Sequence, residues 1–432
     1  MFPLLVGAQH YDWGRLATDS TVYKLLKSNH DWAKELETSV QVHTNDETRP
    51  FAELWVGTHP SLPSFIVRSP LCPLEEILKQ QSSQWPDEVD FQESTKSLPF
   101  LLKVLSIQKT LSIQAHPDLT LAQQLHRNNP KQYPDDNHKP EMAVALKTCE
   151  VMYGFRKLEE IAMVLTTYEE VREVCGREAV ERFLSQVGVT AREKRRSLLR
   201  DLVASLLEQS QEIISSCILR ILPKLRELKT TSNQKDVVKY ADLVTRLYDQ
   251  HGLDTGVILS LFLNFITLEP GEALFISANE PHAYVSGELV EIMSCSDNVV
   301  RAGLTSKYKD VSTLLGMLTF EEADPQNVKF SGKVIENGVV CYTPPVDEFE
   351  LELVHLKSSK NFLVKSTSLV LCLCGDGKIR CNCKTLKEGS HDLPLREGSC
   401  ICLLKNSECT IENMSSKELF YCVAHMRNSQ DA

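Results

Sequence analysis

The chain lacks a long hydrophobic run, an excess of basic residues and a recognisable signal peptide. Its longest apolar stretch, Val257 to Ile266, is roughly half of the ~20 residues that a membrane-spanning helix needs, and Ser260 and Asn264 interrupt it. The formal net charge of −11 argues against nucleic acid or an anionic membrane as a partner, because both require a basic face. The start, M-F-P-L-L-V-G-A-Q, has neither a basic segment nor a long apolar core, so we expect a cytoplasmic protein.

Cysteine is abundant, but the sequence gives no sign of a secreted protein. Without a signal peptide, the fourteen cysteines are expected to be reduced. Zinc-binding cysteine pairs usually leave two or more residues between the ligands, whereas C-x-C spacing fits alternating strands. We therefore favour core or same-face strand cysteines over a thiolate metal site for three pairs: Cys372/Cys374, Cys381/Cys383 and Cys400/Cys402.

The 432 residues contain no internal repeat and no low-complexity tract, and their number predicts two to three domains. Residues 1–154 show short apolar or alternating runs broken by Pro, Gly, Asn and Asp, which predict strands and turns. Strand patterns return in residues 261–320, so we expect these two segments to form one discontinuous domain. Residues 321–432 predict a separate all-β unit, with turn signals such as Asn337-Gly338.

Between these β segments, residues 155–260 change to a helical period. Apolar residues recur three or four positions apart, as at Ile161, Val164 and Leu165, which is the spacing of an amphipathic helix. Thr190 is the expected N-cap of one helix, and Pro223 is expected to kink or end another. The sequence therefore predicts an all-helical insertion in the β domain.

Three short motifs carry side chains suited to one metal ion: Gln114 and His116 in S-I-Q-A-H-P, Glu141 in N-H-K-P-E-M, and His282 in N-E-P-H-A-Y. Residues at i and i+2 of an extended strand face the same side, so Gln114 and His116 converge. A histidine before proline is by itself most often a turn residue, and only the joint pattern favours a ligand. Two imidazoles, a carboxylate and an amide oxygen suit zinc and tolerate other divalent ions. With one anionic ligand the metal keeps positive charge and open positions for substrate or water oxygens.

Several longer strings resemble one known family. They are Q-H-Y-D-W-G, F-A-E-L-W-V-G-T-H-P, L-P-F-L-L-K-V-L-S-I-Q-K-T-L-S-I-Q-A-H-P, N-H-K-P-E-M-A-V-A-L and V-E-I-M-S-C-S-D-N-V-V-R-A-G-L-T. Together they resemble the zinc-dependent mannose-6-phosphate isomerases of the eukaryotic type, also called phosphomannose isomerases. The resemblance spans most of the two β segments of the first domain, while the C-terminal unit resembles the family only loosely.

The resemblance implies a mainly β protein with an all-helical insertion. The family has a cupin-like jelly-roll domain that carries the metal and a second, metal-free jelly-roll or β-barrel domain at the C-terminus. It implies one Zn²⁺ per chain, and the family's zinc ligands fall on Gln114, His116, Glu141 and His282. Its catalytic arginine falls on Arg301, and the other implied site residues are Lys103, His138, Lys139, Glu291 and Asp297.

The implied reaction interconverts mannose 6-phosphate and fructose 6-phosphate through a cis-enediol, feeding GDP-mannose synthesis and glycosylation. Such a step needs a base, positive charge for the enediolate and basic partners for the phosphate. Lys103 and Arg301 are candidates for the phosphate, and Glu291, Asp297, His138 and Lys139 are candidates for proton transfer. Proton transfer is favoured over a metal-assisted hydride shift, because several titratable side chains fall in the motifs. The expected partner is a small sugar phosphate, and we expect a monomer.

Two other classes of function remain open at this point. A cupin oxygenase with iron would favour histidines and a carboxylate as ligands, and Gln114 weakens that reading. A catalytically silent sugar-phosphate binder would not need Arg301, Lys139 and every metal ligand, all of which are present.

Overall fold

The computed structural model describes residues 1–41, 46–84, 97–382 and 392–427 of the chain. Strands predominate in the part described. They are β1 (Phe2–Leu5), β2 (Gly7–Gln9), β3 (Glu53–Val56), β4 (Phe65–Ile66), β5 (Cys72–Pro73), β6 (Phe100–Ile107), β7 (Ile113–Ala115), β8 (Glu141–Ala145), β9 (Cys149–Phe155), β10 (Leu263–Leu268), β11 (Glu272–Ile276), β12 (His282–Ser294), β13 (Val300–Gly303), β14 (Lys329–Ser331), β15 (Lys333–Glu336), β16 (Val339–Tyr342), β17 (Glu350–Leu356), β18 (Ser359–Leu363), β19 (Ser368–Cys374), β20 (Asp376–Asn382), β21 (Asp392–Arg396), β22 (Cys400–Leu403), β23 (Glu408–Asn413) and β24 (Leu419–His425).

The described helices fall in three parts of the chain: before β8, between β9 and β10, and after β13; short 3₁₀ turns cover Ala17–Asp19 and Ser260–Phe262. The α-helices are α1 (Thr21–Leu36), α2 (Leu74–Gln84), α3 (Leu119–Asn128), α4 (Leu158–Thr167), α5 (Glu169–Val174), α6 (Arg177–Gln186), α7 (Arg192–Leu207), α8 (Gln211–Thr231), α9 (Lys235–His251), α10 (Thr255–Leu259) and α11 (Val311–Met317). Among the described residues, none of these helices has the length and apolar character to span a membrane.

The first 154 residues contain more than strands and turns, so that expectation was wrong. Three helices, α1 to α3, lie in this segment. In α1 the Ser20 hydroxyl caps the first turn by accepting from the Tyr23 amide, and the buried side chains Val22, Leu25 and Leu26 recur at helical spacing. The signal was present in the sequence, but it was masked by the short alternating runs on either side.

The insertion between β9 and β10 is helical throughout its described elements, from α4 to the turn at Ser260–Phe262. The expected N-cap was wrong: Ala191, not Thr190, occupies the N-cap of α7, and it provides no side-chain cap. Pro223 does not end α8, which continues through it for a total of 21 residues, because its many buried side chains outweigh the one hydrogen bond that proline removes. A kink at Pro223 stays a prediction.

The helical insertion packs directly against a short strand of the β domain. Ile113 and Ala115 of β7 are fully buried in one hydrophobic core with the apolar faces of the helices. Because side chains alternate along a strand, Gln114 between them faces the opposite side of β7. The insertion therefore fixes the direction in which Gln114 points.

Strand β12 is the axis of an 11-stranded sheet. Its first half pairs with β7 and β9, and its second half pairs with β6 and β8. Gly287 marks the change between the two halves, and it has a φ of 117°, which favours glycine. A side chain there would also meet Cys149, whose sulfur lies 2.6 Å from the position of a Cβ. One strand therefore pairs with β7 and β9 before Gly287 and with β6 and β8 from Gly287 onward.

A second sheet joins the two ends of the chain. Its nine strands run in the order β15, β16, β17, β24, β19, β22, β1, β4 and β5. Phe2 of β1 lies opposite Cys402 of β22, so residues near the start complete the C-terminal sheet. Beyond residue 321, β14 still pairs with β11 of the first sheet. Strand pairing thus crosses the domain boundary expected at residue 321.

The sequence suggested that the cysteines are reduced, but two of them form a disulfide. Cys381 and Cys409 lie directly opposite each other on β20 and β23 and form a disulfide with a Cα–Cα distance of 4.2 Å. The partner of Cys381 in its C-x-C pair, Cys383, lies outside the described residues. Cys400 and Cys402 are buried core residues of β22, as the strand interpretation predicted. Cys372 is buried but Cys374 is exposed, because a register shift separates them.

Candidate metal centre

Three neighbouring strands bring the predicted metal ligands together. Gln114 of β7 lies directly opposite His282, the first residue of β12, and also opposite Arg301 of β13. Glu141 begins β8, which runs beside the second half of β12, and His116 follows β7 by one residue. The ring centroids of His116 and His282 are 4.9 Å apart. The structure thus brings His116, Glu141 and His282 together. Gln114 lies beside them in the strand register, and its Oε1 accepts from the Ser112 hydroxyl at 3.2 Å.

Backbone carbonyls fix the tautomers of both imidazoles. Nδ1 of His116 lies 2.8 Å from the Asn298 carbonyl oxygen, and Nδ1 of His282 lies 3.0 Å from the Glu280 carbonyl oxygen. A carbonyl only accepts hydrogen bonds, so each Nδ1 carries the proton and each Nε2 keeps a free lone pair. A ring that donates through Nδ1 to a carbonyl and leaves Nε2 free is typical of metal-binding histidines.

The ligand atoms are buried and converge on Glu141. Nε2 of His116 lies 3.3 Å from Oε1 of Glu141, and Nε2 of His282 lies 3.7 Å from Oε2. Among the described residues, three of these atoms, Nε2 of each histidine and Oε2 of Glu141, are buried with no hydrogen-bond partner. Such groups are costly to bury unless something binds them. Two nitrogens and one carboxylate oxygen within 4.8 Å of one another fit a divalent ion such as zinc.

Electrostatics keep these groups in their metal-binding forms. Burial and the neighbouring His116 lower the pKa of His282 to about 4, so its ring is neutral at pH 7. Burial by itself would raise the pKa of Glu141, but His116 and Lys139 outweigh it and hold that pKa well below its usual value. A neutral imidazole and an ionised carboxylate are the forms that coordinate metals.

Lys139 and His138 point in different directions. Nζ of Lys139 lies 3.3 Å from Oε1 of Glu141, as expected for residues two apart in an extended segment. His138 instead contacts the Glu348 carboxylate of the C-terminal part through its Nε2. The structure thus brings Lys139 to the ligand cluster, whereas His138 is engaged at the contact with the C-terminal strands.

A second buried cluster lies on β3, β6 and β12. Nζ of Lys103 lies 3.3 Å from Oε2 of Glu53 and 3.1 Å from Oε2 of Glu291. Glu53 also accepts from the Trp55 indole N–H at 2.6 Å, and Glu291 accepts from the Tyr284 hydroxyl at 2.9 Å. All five side chains are buried, so this is a fully connected polar network in the interior.

The charges of this network determine its protonation. Burial raises the pKa of Glu291 to about 7, although Lys103 acts against it. For Lys103, burial would lower the pKa, but Glu53 and Glu291 prevail and raise it. Lys103 therefore stays charged, while Glu291 changes its protonation near neutral pH.

Asp297 lies at a more open position. Its side chain is 49% exposed, and its Oδ1 lies 3.6 Å from Nε2 of the buried His59. Its backbone amide donates to Asp135. Burial lowers the pKa of His59 despite this carboxylate, and the His59 ring packs edge-on against Trp55. Asp297 and His59 thus border the network that holds Lys103.

Arg301 of β13 is a half-buried cation. Among the described residues, no hydrogen bond or ion pair engages its guanidinium, and burial lowers its pKa. Just after β13, Asp254 of the helical insertion accepts from the Leu304 amide at 2.5 Å and from Gly256 at 2.6 Å. The insertion therefore anchors the segment that follows Arg301, and the guanidinium stays free to meet an anion.

Sequence reasoning did not identify Glu53, Tyr284 or Asn298 as parts of the site. A signal existed for Glu53, which interrupts the apolar strand F-A-E-L-W-V just as Lys103 interrupts L-P-F-L-L-K-V-L. Charged residues in adjacent buried strands must pair, but the adjacency of β3, β6 and β12 was not known. Asn298 contributes a backbone carbonyl, for which no side-chain motif exists.

Comparisons with known proteins agree with this geometry. A family model described as phosphomannose isomerase type I, catalytic domain, matches residues 1–158. Mannose-6-phosphate isomerase from Schizosaccharomyces pombe is 38% identical over 81% of this chain and 82% of its own length. Mannose-6-phosphate isomerase 1 from Arabidopsis thaliana is 38% identical over 87% of this chain and 84% of its own.

Solved structures show the same fold over nearly the whole chain. The apo form of mannose 6-phosphate isomerase from Salmonella typhimurium is 25% identical, with a TM-score of 0.74, and the match covers 99% of both chains. A mannose 6-phosphate isomerase bound with zinc and yttrium is 24% identical, with a TM-score of 0.70 over 99% of this chain and 100% of that one. The shared fold and the curated relatives lead to one conclusion: the chain belongs to the type I phosphomannose isomerase family.

Proposed function

We propose that the protein interconverts mannose 6-phosphate and fructose 6-phosphate. The observation that supports this most directly is the set of buried atoms without hydrogen-bond partners on His116, Glu141 and His282, beside the free guanidinium of Arg301. Aldose–ketose isomerisation is accelerated by an electrophile at the carbonyl, which a bound metal can supply as a Lewis acid, and by a cation that meets the anionic substrate. The residues of this centre supply a site for each, in a chain whose curated relatives are named mannose-6-phosphate isomerases.

The proposed cofactor is one Zn²⁺ per chain, held by Gln114, His116, Glu141 and His282. Support for Gln114 comes from its place directly opposite His282 and from its orientation away from the helical core. When bound, zinc supplies a Lewis acid that polarises the substrate carbonyl. The four ligands include only one carboxylate, so the centre retains positive charge for an oxygen-rich substrate.

Arg301 is the residue that we assign to the negative charge of the substrate, both at the phosphate and at the developing enediolate. It has no partner among the described residues and lies one strand from His282, across Gln114. Lys103 was the other candidate for the phosphate. Its charge is already offset by Glu53 and Glu291. The two carboxylates would repel a phosphate placed beside Lys103. We therefore assign Lys103 to holding these two carboxylates in place.

For proton transfer we favour Glu291 over Asp297, His138 and Lys139. A base that collects a proton and returns it works best with a pKa near the operating pH, and the Glu291 pKa of about 7 meets that condition. His138 is engaged by Glu348, and Asp297 is half exposed. Lys139, 3.3 Å from Glu141, is suited to stabilising a negatively charged oxygen as the cis-enediol forms.

We also propose how the chain is divided into domains. A cupin-like jelly roll of residues 1–154 and 261–320 would carry the metal, residues 155–260 would form the helical insertion, and residues 321–432 would form a C-terminal jelly roll. The strands that cross these limits, such as β1 and β14, belong to the interface between the two β units. We propose that the protein is a cytoplasmic monomer and that the mannose 6-phosphate it forms feeds GDP-mannose synthesis.

A coupled assay on mannose 6-phosphate tests the proposal. Purified protein should convert the substrate to fructose 6-phosphate, lose activity after treatment with a chelator and regain it on addition of zinc. Oxygen consumption, measured in parallel with iron-loaded protein, separates an oxygenase from an isomerase. Absence of isomerase activity in protein shown to contain zinc would refute the proposed function.

A further inference from the structure

A cavity with both charged and apolar side chains in its wall lies in the C-terminal half of the molecule. It has a volume of about 490 Å³ and is bounded by β15, β16, β17, β18 and β24 and by the segment that follows β18. This volume lies within the range of small-molecule sites in proteins, about 300–1,000 Å³. None of its lining residues belongs to the metal centre or to the Lys103 network.

The strand register explains how one face of the sheet comes to line this cavity. In β17 and β24, Glu350 lies opposite His425, Glu352 opposite Val423, and Val354 opposite Tyr421. These residues are two apart on each strand, so all of them face the same side. The cavity is therefore a regular product of strand pairing, lined by alternate residues of the sheet.

The wall of the cavity contains a polar group with no partner. Tyr421 is 1% exposed, and its hydroxyl forms no hydrogen bond within the described ranges of the chain. A buried tyrosine hydroxyl usually finds a partner. Here the side chain borders the cavity, so a bound molecule is the partner that the arrangement leaves room for.

Two ion pairs in the cavity are looser than hydrogen bonds. Nε2 of His425 lies 3.9 Å from Oε1 of Glu352, and Nε of Arg427 lies 3.8 Å from Oε1 of Glu350. A ligand hydroxyl can accept from the cation and donate to the carboxylate of such a pair, since it has both functions. Two pairs on adjacent strands suit a compound with several hydroxyls in a row.

The glutamates of the cavity do not engage all of its cations. Lys360 pairs with Glu336, and Arg427 lies 3.8 Å from Glu350, whereas Lys333 forms no hydrogen bond or ion pair within the described part of the chain. Lys333 and the loosely held Arg427 can therefore meet an anionic group on the same ligand. Apolar side chains such as Val354 and Val423 complete the wall and suit the C–H surface of a carbon chain.

We propose that this cavity, hereafter the C-terminal cavity, binds a small polyhydroxylated compound with one anionic group, of the class of sugar or alditol phosphates. Glu350 and Glu352 accept from its hydroxyls, the Tyr421 hydroxyl donates to or accepts from it, and Lys333 and Arg427 meet its anionic group. The site is separate from the metal centre and does not depend on the proposed isomerisation.

The probe for the test is D-glucitol 6-phosphate, which has no carbonyl and cannot be isomerised. Hydrogen–deuterium exchange of the full-length, zinc-loaded protein, followed by mass spectrometry, locates binding by segment. The probe should slow exchange in β17, β18 and β24, with a concentration dependence distinct from that of the metal-site strands. Unchanged exchange in these three strands at millimolar probe would overturn the proposal.

Variants assign the effect to named side chains. Glu352→Gln should weaken the binding seen in these strands at least tenfold, and Tyr421→Phe about fivefold, as expected for one lost hydrogen bond. The matched control is Glu418→Gln, an exposed glutamate of the same sheet, which should bind as wild type does. If Glu352→Gln fails to fold, Tyr421→Phe decides, and an unchanged affinity in it would contradict the proposed site.

Two further ligands test the chemical class. Free D-glucitol should bind at least tenfold more weakly than its phosphate, because it lacks the anionic group. Inorganic phosphate should also bind at least tenfold more weakly, because it cannot use the two glutamates. Equal binding of D-glucitol, or equal binding of phosphate, would overturn the assignment to a polyhydroxylated anion.

Discussion

Nζ of Lys103 lies 3.1 Å from Oε2 of Glu291, and both side chains are buried. The lysine also lies 3.3 Å from Glu53, so one cation serves two carboxylates inside the protein. Burial of charge is costly unless it is paired and hydrogen-bonded. The pairing therefore makes the network beside the metal centre sensitive to the removal of any member.

Replacement of Lys103 by methionine should destabilise the protein by about 3–5 kcal/mol, the cost of leaving a buried charge without its partner. Denaturant unfolding followed by circular dichroism measures this. Lys79→Met, which removes an exposed ion pair with Glu75, is the control and should cost less than about 1 kcal/mol. Equal effects of the two substitutions would show that the Lys103 network contributes no more than a surface pair.

Activity should depend on the ionisation of Glu291. Its pKa is raised to about 7, and a general base must be deprotonated, so kcat/KM should rise as the pH increases through about 7 and fall below it. The change is measured as a pH profile with mannose 6-phosphate. Glu291→Gln should lose most of the activity and also this limb of the profile, whereas the exposed control Glu269→Gln should keep both. If the Glu291→Gln variant kept the rise of kcat/KM near pH 7, another group would be the base.

Substitution of His282 by asparagine should remove metal and activity together. Changes to residues around a metal site already cost about 10–100-fold in affinity, and the loss of a direct ligand should cost more. Zinc content by elemental analysis should fall to about a tenth of the wild-type value or less, with isomerase activity falling in proportion. His355→Asn, at an exposed histidine, should change neither, and a zinc-replete but inactive His282→Asn protein would contradict the ligand role.

Arg301→Ala should separate turnover from metal binding. The guanidinium has no partner among the described residues, so stability should change by less than about 0.5 kcal/mol and zinc content should stay the same. We expect kcat to fall by about 10²–10³-fold, the usual effect of losing one group that stabilises transition-state charge. Arg226→Ala, an exposed arginine, is the matched control, and wild-type kinetics in Arg301→Ala would disprove the assignment.

Isomerisation in D₂O should incorporate deuterium at C1 or C2 of the sugar. A base that holds the migrating proton between the two carbons allows exchange with solvent, whereas a hydride shift transfers the original hydrogen directly. Mass spectrometry or NMR of the product after repeated turnover measures the incorporation. Complete retention of the original hydrogen would favour the hydride route.

The sequence predicted the metal centre better than the surroundings of the centre. The motifs around His116, Glu141 and His282 were sufficient to predict that these three side chains cluster, because ligand types are local properties of a motif. The ligand role of Gln114 stays a prediction from strand periodicity. The network of Lys103, Glu53 and Glu291 was not predicted as a unit. It depends on which strands are neighbours, and strand order is decided by packing across long separations in the chain.

Similar reasons explain the errors in the fold. Helices α1 to α3 were missed because their apolar residues lie between strand-like runs, where period alone is ambiguous. The disulfide between Cys381 and Cys409 was missed because its formation depends on the register of β20 and β23, which the C-x-C spacing does not report.

The pairing of Phe2 with Cys402 has a consequence for biosynthesis. Nearly the entire polypeptide must leave the ribosome before the nine-stranded sheet finds its seventh member, β1. Contacts of such large sequence separation form slowly, and until β22 has been synthesised the edge of β1 offers unpaired amides to other nascent chains. Folding of this isomerase family member is thus expected to finish only after β22 has left the ribosome and pairs with β1.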